Sequence, residues 1–280
     1  MSRPTVRQQA RSQPSLIVRV NQGSLQPALF CAPPHSGLLL GYINLARHTA
    51  PGRPIRVFAP PPIDETFEPY TVKSLAIQYL EAMRAEQPAG PYVLIGYCFG
   101  GWVTYEMACA LERAGEQPQL LILVECYYEG WILTQTPVRQ AMVKLGHGAR
   151  RAAEHVRRGP AHWAALRQRV AELRQESSLQ EEFERLIGAG LPLPQQLRDP
   201  QFPNRMAARS FDPAPYSGRT LLFEASTPRA GEYPAALMGW GDLLQGQVEV
   251  CALADDLKSL LSEPVVSQVA RRIEAALEQR

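Results

Sequence analysis

No stretch of this chain approaches the roughly 18 uninterrupted apolar residues that a membrane-spanning helix needs, and the N-terminus carries no continuous apolar run of the kind that directs secretion. Cysteine is scarce. Cys31, Cys98, Cys109, Cys126 and Cys251 are odd in number and lack the close paired spacing of zinc sites. That argues against a disulfide framework and against a bound metal, and it fits a reducing, cytoplasmic setting. Charge of one sign is also lacking: a net charge of +2 is too mild to demand a nucleic acid or a membrane surface as partner. Neither an internal repeat nor a low-complexity segment is evident. What is present is 280 residues with 45% hydrophobic content, enough to bury one large core, or a core with a small lid.

The first 14 residues are polar and aperiodic, which reads as a flexible tail or linker before a domain over 15–280. Short apolar runs follow at Leu16–Val20, Ala28–Ala32 and Ile55–Phe58. A helical pattern then covers Val72–Glu86, with Leu75, Tyr79 and Met83 on one face. Next come the run Tyr92–Tyr97, a helix over Gly100–Ala114 and the run Leu120–Val124. Thr220–Phe223, Val248–Cys251 and a closing helix from Pro264 complete the order. Such alternation implies an α/β fold, with a mostly parallel sheet flanked by helices on both faces. Between β-type runs, residues 127–217 turn Arg-rich and Ala-rich and read as a helical insertion. Arg139, Arg150, Arg151, Arg157, Arg158, Arg167, Arg169 and Arg174 give it either a solvated basic face or a mobile lid whose cations meet an anionic group.

The segment Tyr92-Val-Leu-Ile-Gly96-Tyr-Cys98-Phe-Gly100-Gly101 matches the nucleophile elbow G-x-S-x-G with cysteine in the middle position. An apolar strand leads in and a helix leads out. Flanking glycines permit the tight turn that lifts the nucleophile above a sheet, and the helix N-terminus favours negative charge on it. A buried structural cysteine at a tight turn is the ordinary alternative.

From Ala28 to Leu277 the chain resembles the product-release thioesterase domains of nonribosomal peptide synthetases, members of the α/β-hydrolase superfamily. Leu29-Phe-Cys-Ala-Pro-Pro-His35 resembles their first strand and oxyanion loop, and Gly90-Pro-Tyr-Val-Leu-Ile-Gly-Tyr-Cys-Phe-Gly-Gly their elbow. Ala208-Arg-Ser-Phe-Asp-Pro-Ala-Pro-Tyr-Ser-Gly-Arg-Thr-Leu-Leu-Phe resembles their return from lid to core. The resemblance implies that the backbone N–H groups of His35 and Phe99 form an oxyanion hole. It also implies a substrate carried on the phosphopantetheine of a peptidyl carrier protein domain, with no cofactor of the domain's own. Three positions depart from the family. Cys98 stands for its serine and Glu125, 27 positions on, for its aspartate. Leu257 stands for its histidine, seven residues before Pro264.

Thiol and carboxylate pKa values near 8.5 and 4.3 leave a gap of about 4 units, or roughly 5.7 kcal/mol for complete proton transfer to an ordinary Glu. Burial of Glu125 and the helix terminus at Cys98 would narrow it. A thiol therefore tolerates the loss of the histidine better than a hydroxyl does. His35, in the oxyanion loop, is the leading substitute base, against the alternative of a solvent-facing loop histidine. His48 reads as an ordinary helix residue. His147, His155 and His162 fall in the insertion, and Asp255 and Asp256 flank the vacated histidine position.

The expected chemistry is transfer of an acyl or peptidyl chain from carrier thioester to Cys98, followed by attack of an amine within the substrate. Water needs a strong base and an amine needs less, so cyclising release is expected. The combination of cysteine nucleophile, altered acid and missing histidine resembles the thioesterase of monobactam assembly, where release closes a β-lactam in antibiotic biosynthesis. In that case Arg150, Arg151, Arg157 and Arg158 would suit recognition of an N-sulfonate. Three alternatives stay open: a stand-alone acyltransferase, a hydrolytic thioesterase, and a non-catalytic carrier-docking pseudoenzyme.

Overall fold

In a computed structural model of the chain, the described residues are 16–128, 159–225, 236–253 and 259–279, with side chains left aside for 159–173 and 236. The elements in chain order are β1 (Ile17–Arg19), β2 (Leu29–Ala32), α1 (Leu40–His48), β3 (Ile55–Phe58), α2 (Val72–Glu86), β4 (Val93–Tyr97), α3 (Phe99–Arg113) and β5 (Leu120–Val124). They continue with α4 (Gly159–Gly188), α5 (Gln201–Arg209), β6 (Thr220–Ala225), β7 (Val248–Leu253) and α6 (Val266–Glu278).

The strands form one sheet in the order β1-β3-β2-β4-β5-β6-β7. β1 is antiparallel to β3 and every other pairing is parallel. The runs LFCA of β2 and LLILV of β5 are buried throughout, as strands covered on both faces must be. Side chains alternate between two cores. Phe30, Leu94, Leu121, Leu123 and Leu222 pack with α2 and α3. Leu29, Cys31, Val93, Ile95, Ile122 and Phe223 pack with α1 and α6 on the opposite face.

The α/β-hydrolase arrangement expected from the sequence is therefore present, with element ends within about two residues of the apolar runs. α2 starts where a capping box starts it: Ser74 N–H donates to Thr71 Oγ1 at 3.1 Å, and Thr71 N–H donates to Ser74 Oγ at 2.9 Å. α4 and α5 intervene between β5 and β6. Their junction holds a third cluster in which Phe183, Leu186, Leu193, Leu197 and Phe202 are buried against Ile63 and Phe67 of the main body.

Arg56 is the polar intruder in β3. It is buried because Glu86, at the end of α2, accepts from its Nε at 2.8 Å while Asn21 O accepts from its Nη1 at 2.9 Å. A buried guanidinium is tolerated when it is paired in this way.

Candidate active site

β4 runs straight into α3 through Cys98, which caps the helix with φ 53° and ψ −122°. That conformation costs a non-glycine residue on the order of 1–3 kcal/mol and persists only where the surroundings enforce it. Here Cys98 N–H donates to Val124 O at 3.0 Å and Gly101 N–H to Cys98 O at 2.9 Å. Two glycines make the turn possible. A Cβ on Gly96 would lie 2.2 Å from Gly101 Cα, and one on Gly100 would lie 2.1 Å from Ala32 O. The second contact also shows that the loop leaving β2, which carries His35, rests directly on the start of α3.

Of the five cysteines, Cys98 alone is not buried. Burial raises the thiols of Cys31 and Cys126 well above the ordinary value, and it pushes Cys109 up to about 12 and Cys251 upward. Four sulfurs are thus held as inert thiols. Cys98 instead sits at the positive end of a 15-residue helix, where a thiolate is stabilised.

Glu125 follows β5 directly, and since Tyr97 and Val124 are register partners, Glu125 and Cys98 leave adjacent strands side by side. Glu125 is buried, with φ 47°, and its N–H donates to Phe223 O at 3.0 Å. Its Oε2 accepts from Leu260 N–H at 2.8 Å. The carboxylate therefore holds the chain three residues beyond Leu257, at the return of the β7–α6 connection.

His35 is half-buried, with its ring centroid 6.4 Å from that of Phe99. Its carbonyl accepts from Asn204 Nδ2 at 3.0 Å, and Asn204 Oδ1 accepts from Tyr70 O–H at 2.7 Å. Desolvation, then the positive charge of Arg205, lowers its pKa against a smaller opposing effect of Asp199. At neutral pH the imidazole is therefore uncharged and able to accept a proton. His48 ends α1 and pairs with Glu263 at 2.7 Å.

A group of rings lies next to the elbow. Trp102, one turn along α3 from Cys98, donates from Nε1 to Tyr127 O at 2.9 Å, and Trp240 donates from Nε1 to Cys126 O at 2.6 Å. Both bonds fix the chain where it leaves β5. Asn204, Trp102 and Trp240 were not singled out in the sequence as site residues, since their partners lie at distant positions and no local pattern announces them.

Arg150, Arg151, Arg157 and Arg158 lie outside the described residues, as do Arg139, His147, His155, Asp255, Asp256 and Leu257. Arg167, Arg169 and His162 fall in the part of α4 whose side chains are not described. Among the described residues no group of His, Cys, Asp and Glu is placed to hold a metal ion, and no helix is long and apolar enough to cross a membrane.

A family model described as a thioesterase domain matches residues 27–186. Malpibaldin synthetase of Mortierella alpina is 38% identical over 114 residues, covering 40% of this chain and 2% of that protein. A dimodular nonribosomal peptide synthase of Bacillus subtilis (strain 168) is 32% identical over 117 residues, covering 41% of this chain and 5% of that protein. The chain thus spans only a small part of the length of these relatives. Among solved structures, the NocB thioesterase domain in covalent complex with a fluorophosphonate nocardicin G analogue superposes with a TM-score of 0.62 at 22% identity, covering 94% of this chain and 99% of that one. The Vlm2 thioesterase domain bearing a tetradepsipeptide on a genetically encoded 2,3-diaminopropionic acid gives 0.58 at 20% identity, covering 94% and 98%. These two likenesses concern the fold.

Proposed function

The chain belongs to the thioesterase domain family, and on that premise we propose that it releases an acyl or peptidyl chain from the phosphopantetheine thioester of a carrier domain through a thioester on Cys98. The observation that carries the reading is the elbow itself: one half-buried cysteine at a helix N-terminus, beside four buried and inert ones.

In the first step the Cys98 sulfur attacks the thioester carbonyl carbon. The backbone N–H groups of His35 and Phe99 receive the developing oxyanion, and the phosphopantetheine sulfur leaves with the proton that Cys98 gives up. The exchange is between like thioesters, so little driving force is needed. In the second step an amine of the bound chain attacks the same carbon, and Cys98 leaves as thiolate. The amine's proton passes to His35 or Glu125, then to the departing sulfur. No water is consumed. Ring closure is favoured over hydrolysis because Leu257 stands at the position of the family's histidine, and closure of a β-lactam is the most specific form of this reading.

Residues 127–217 serve in this reading as the lid, and Arg150, Arg151, Arg157 and Arg158 as cations for an anionic group of the substrate or the carrier. The N-terminal 14 residues serve in this reading as a flexible tail or linker. The relatives are multidomain synthetases, which supports a carrier domain as partner.

The test is incubation of wild type and Cys98→Ala with a pantetheine thioester whose acyl chain carries an amine on the β-carbon, followed by intact-protein and product mass spectrometry. Wild type is expected to gain the acyl mass or turn over, C98A to do neither, and the product to be lighter by one water than the free acid. A free-acid product would replace cyclisation by hydrolysis, and a chain appearing on an added amine would make the protein an acyltransferase. A wild type that never acylates would leave a docking role.

A further inference from the structure

Trp102 lies in the first turn of α3, four residues after Cys98, and three features set it apart from a core tryptophan. It is half-buried, whereas Trp240 and Tyr105 beside it are fully buried. Its indole is fixed by the Nε1 bond to Tyr127 O. It also meets rings from three separate segments: Phe99 at 6.3 Å, Tyr128 edge-on at 6.2 Å and Phe211 stacked at 5.5 Å with 17° between planes. Tyr127, Tyr128 and Phe211 are half-buried as well. Because α3 begins directly after Cys98, Trp102 stands in the first turn of the helix that carries the nucleophile at its N-terminus.

A cluster that served packing alone would close over its rings, as Tyr105, Tyr216 and Trp240 do. Partly open aromatic faces beside a reacting sulfur favour an apolar, planar ligand, because flat rings offer large contact area at low conformational cost. We infer that Trp102, backed by Phe211 and Tyr128, is a specificity-determining surface that selects acyl chains bearing an aromatic side chain close to the thioester carbonyl. This rests on the acyl-transfer reading above.

The test compares the second-order rate of Cys98 acylation, read by intact-protein mass spectrometry, for phenylalanyl and alanyl pantetheine thioesters in wild type, Trp102→Ala and Trp102→Phe. In parallel, the phenylalanyl amide of aminopantetheine, which cannot be transferred, is titrated against each by calorimetry. Wild type is expected to prefer the phenylalanyl thioester by roughly tenfold or more. W102A should bring that ratio close to one, and W102F should keep most of it, with amide affinity following the same order. Equal rates with the two thioesters in wild type would overturn the inference. So would a preference that survives in W102A. If wild type is acylated by neither thioester, the acyl-transfer reading fails, and the amide titration decides the aromatic surface separately: Trp102-dependent binding supports it and indifferent binding overturns it.

Discussion

Cys98 and His35 carry opposite electrostatic demands, and the fold meets each with a different device. The sulfur needs help to ionise and receives it from the N-terminus of α3. The imidazole needs to stay neutral and is kept so by burial and by Arg205. Cys98→Ser should therefore be a poor enzyme rather than a restored one, since a hydroxyl depends on general-base help usually worth 10²–10⁴-fold and Leu257 supplies none. Acylation of C98S, followed by burst-phase mass spectrometry, is expected to fall on the order of 100-fold or more. The lowered pKa of His35 also has a stability consequence with a definite sign. Above about pH 6.5 both folded and unfolded chains hold a neutral ring. As pH falls below that value the unfolded chain takes up the proton first, so stability drops until the folded ring is protonated too. Replacing His35 by Gln should remove that part of the acid sensitivity. Urea midpoints at pH 7.5 and 5.5 would show it as a smaller loss in H35Q than in wild type. If His35 also takes the amine's proton, H35Q should abolish an acidic limb lying below pH 6.5 in the release rate.

At the level of elements, β2, β4 and β5 were readable because continuous apolar runs of four to five residues, closed by turns, have few other folded uses. The elbow was readable for a similar reason: Gly96 and Gly100 occupy places where any side chain would meet backbone at close to 2 Å. Gly100→Ala should accordingly displace the β2–α1 loop from α3 and remove activity more completely than it removes the fold, with acylation and far-UV circular dichroism as the paired readouts. What the sequence concealed are bonds between elements far apart in the chain. Asn204 on α5 reaches the His35 carbonyl across 169 residues, and nothing near either residue encodes the meeting. Asn204→Leu would leave that carbonyl and the Tyr70 hydroxyl without partners, at a cost of about 1–3 kcal/mol if neither finds water. Asn204 acts here as a positioning residue, so kcat should fall more than KM changes, and Asn204→Gln should recover part of the loss. A merely structural role would lower the melting temperature and leave the kinetic split unchanged.

Across the whole molecule, two cores lie on opposite faces of one sheet, and the ion pairs that tie their edges differ in worth. Arg209–Glu184 at 2.6 Å is largely open to solvent on the arginine side, with 63% of that side chain exposed, and is expected to contribute no more than about 1 kcal/mol. Arg53–Glu274 is the opposite case, with Arg53 only 7% and Glu274 only 18% exposed. Glu274 on α6 accepts from Arg53 Nε and Nη2 and from Ala50 N–H, while Arg53 Nη1 donates to Pro27 O. One carboxylate thus fastens the last helix to the α1–β3 connection, and its guanidinium partner fastens that connection to the entry of β2. Removing Glu274 would strand a buried guanidinium, and such losses are about 3–5 kcal/mol. Glu274→Ala should therefore lower the urea midpoint far more than Glu184→Ala, with an unchanged denaturant slope. The double variant Arg53→Met with Glu274→Leu should recover much of the deficit, because it removes the desolvated charge together with its partner. Recovery would identify the cost in E274A as the unpaired charge. An equal deficit in single and double variants would instead assign it to the lost connection between α6 and the sheet edge, and active-site acylation measured on the same proteins would show whether that edge influences the elbow across the core.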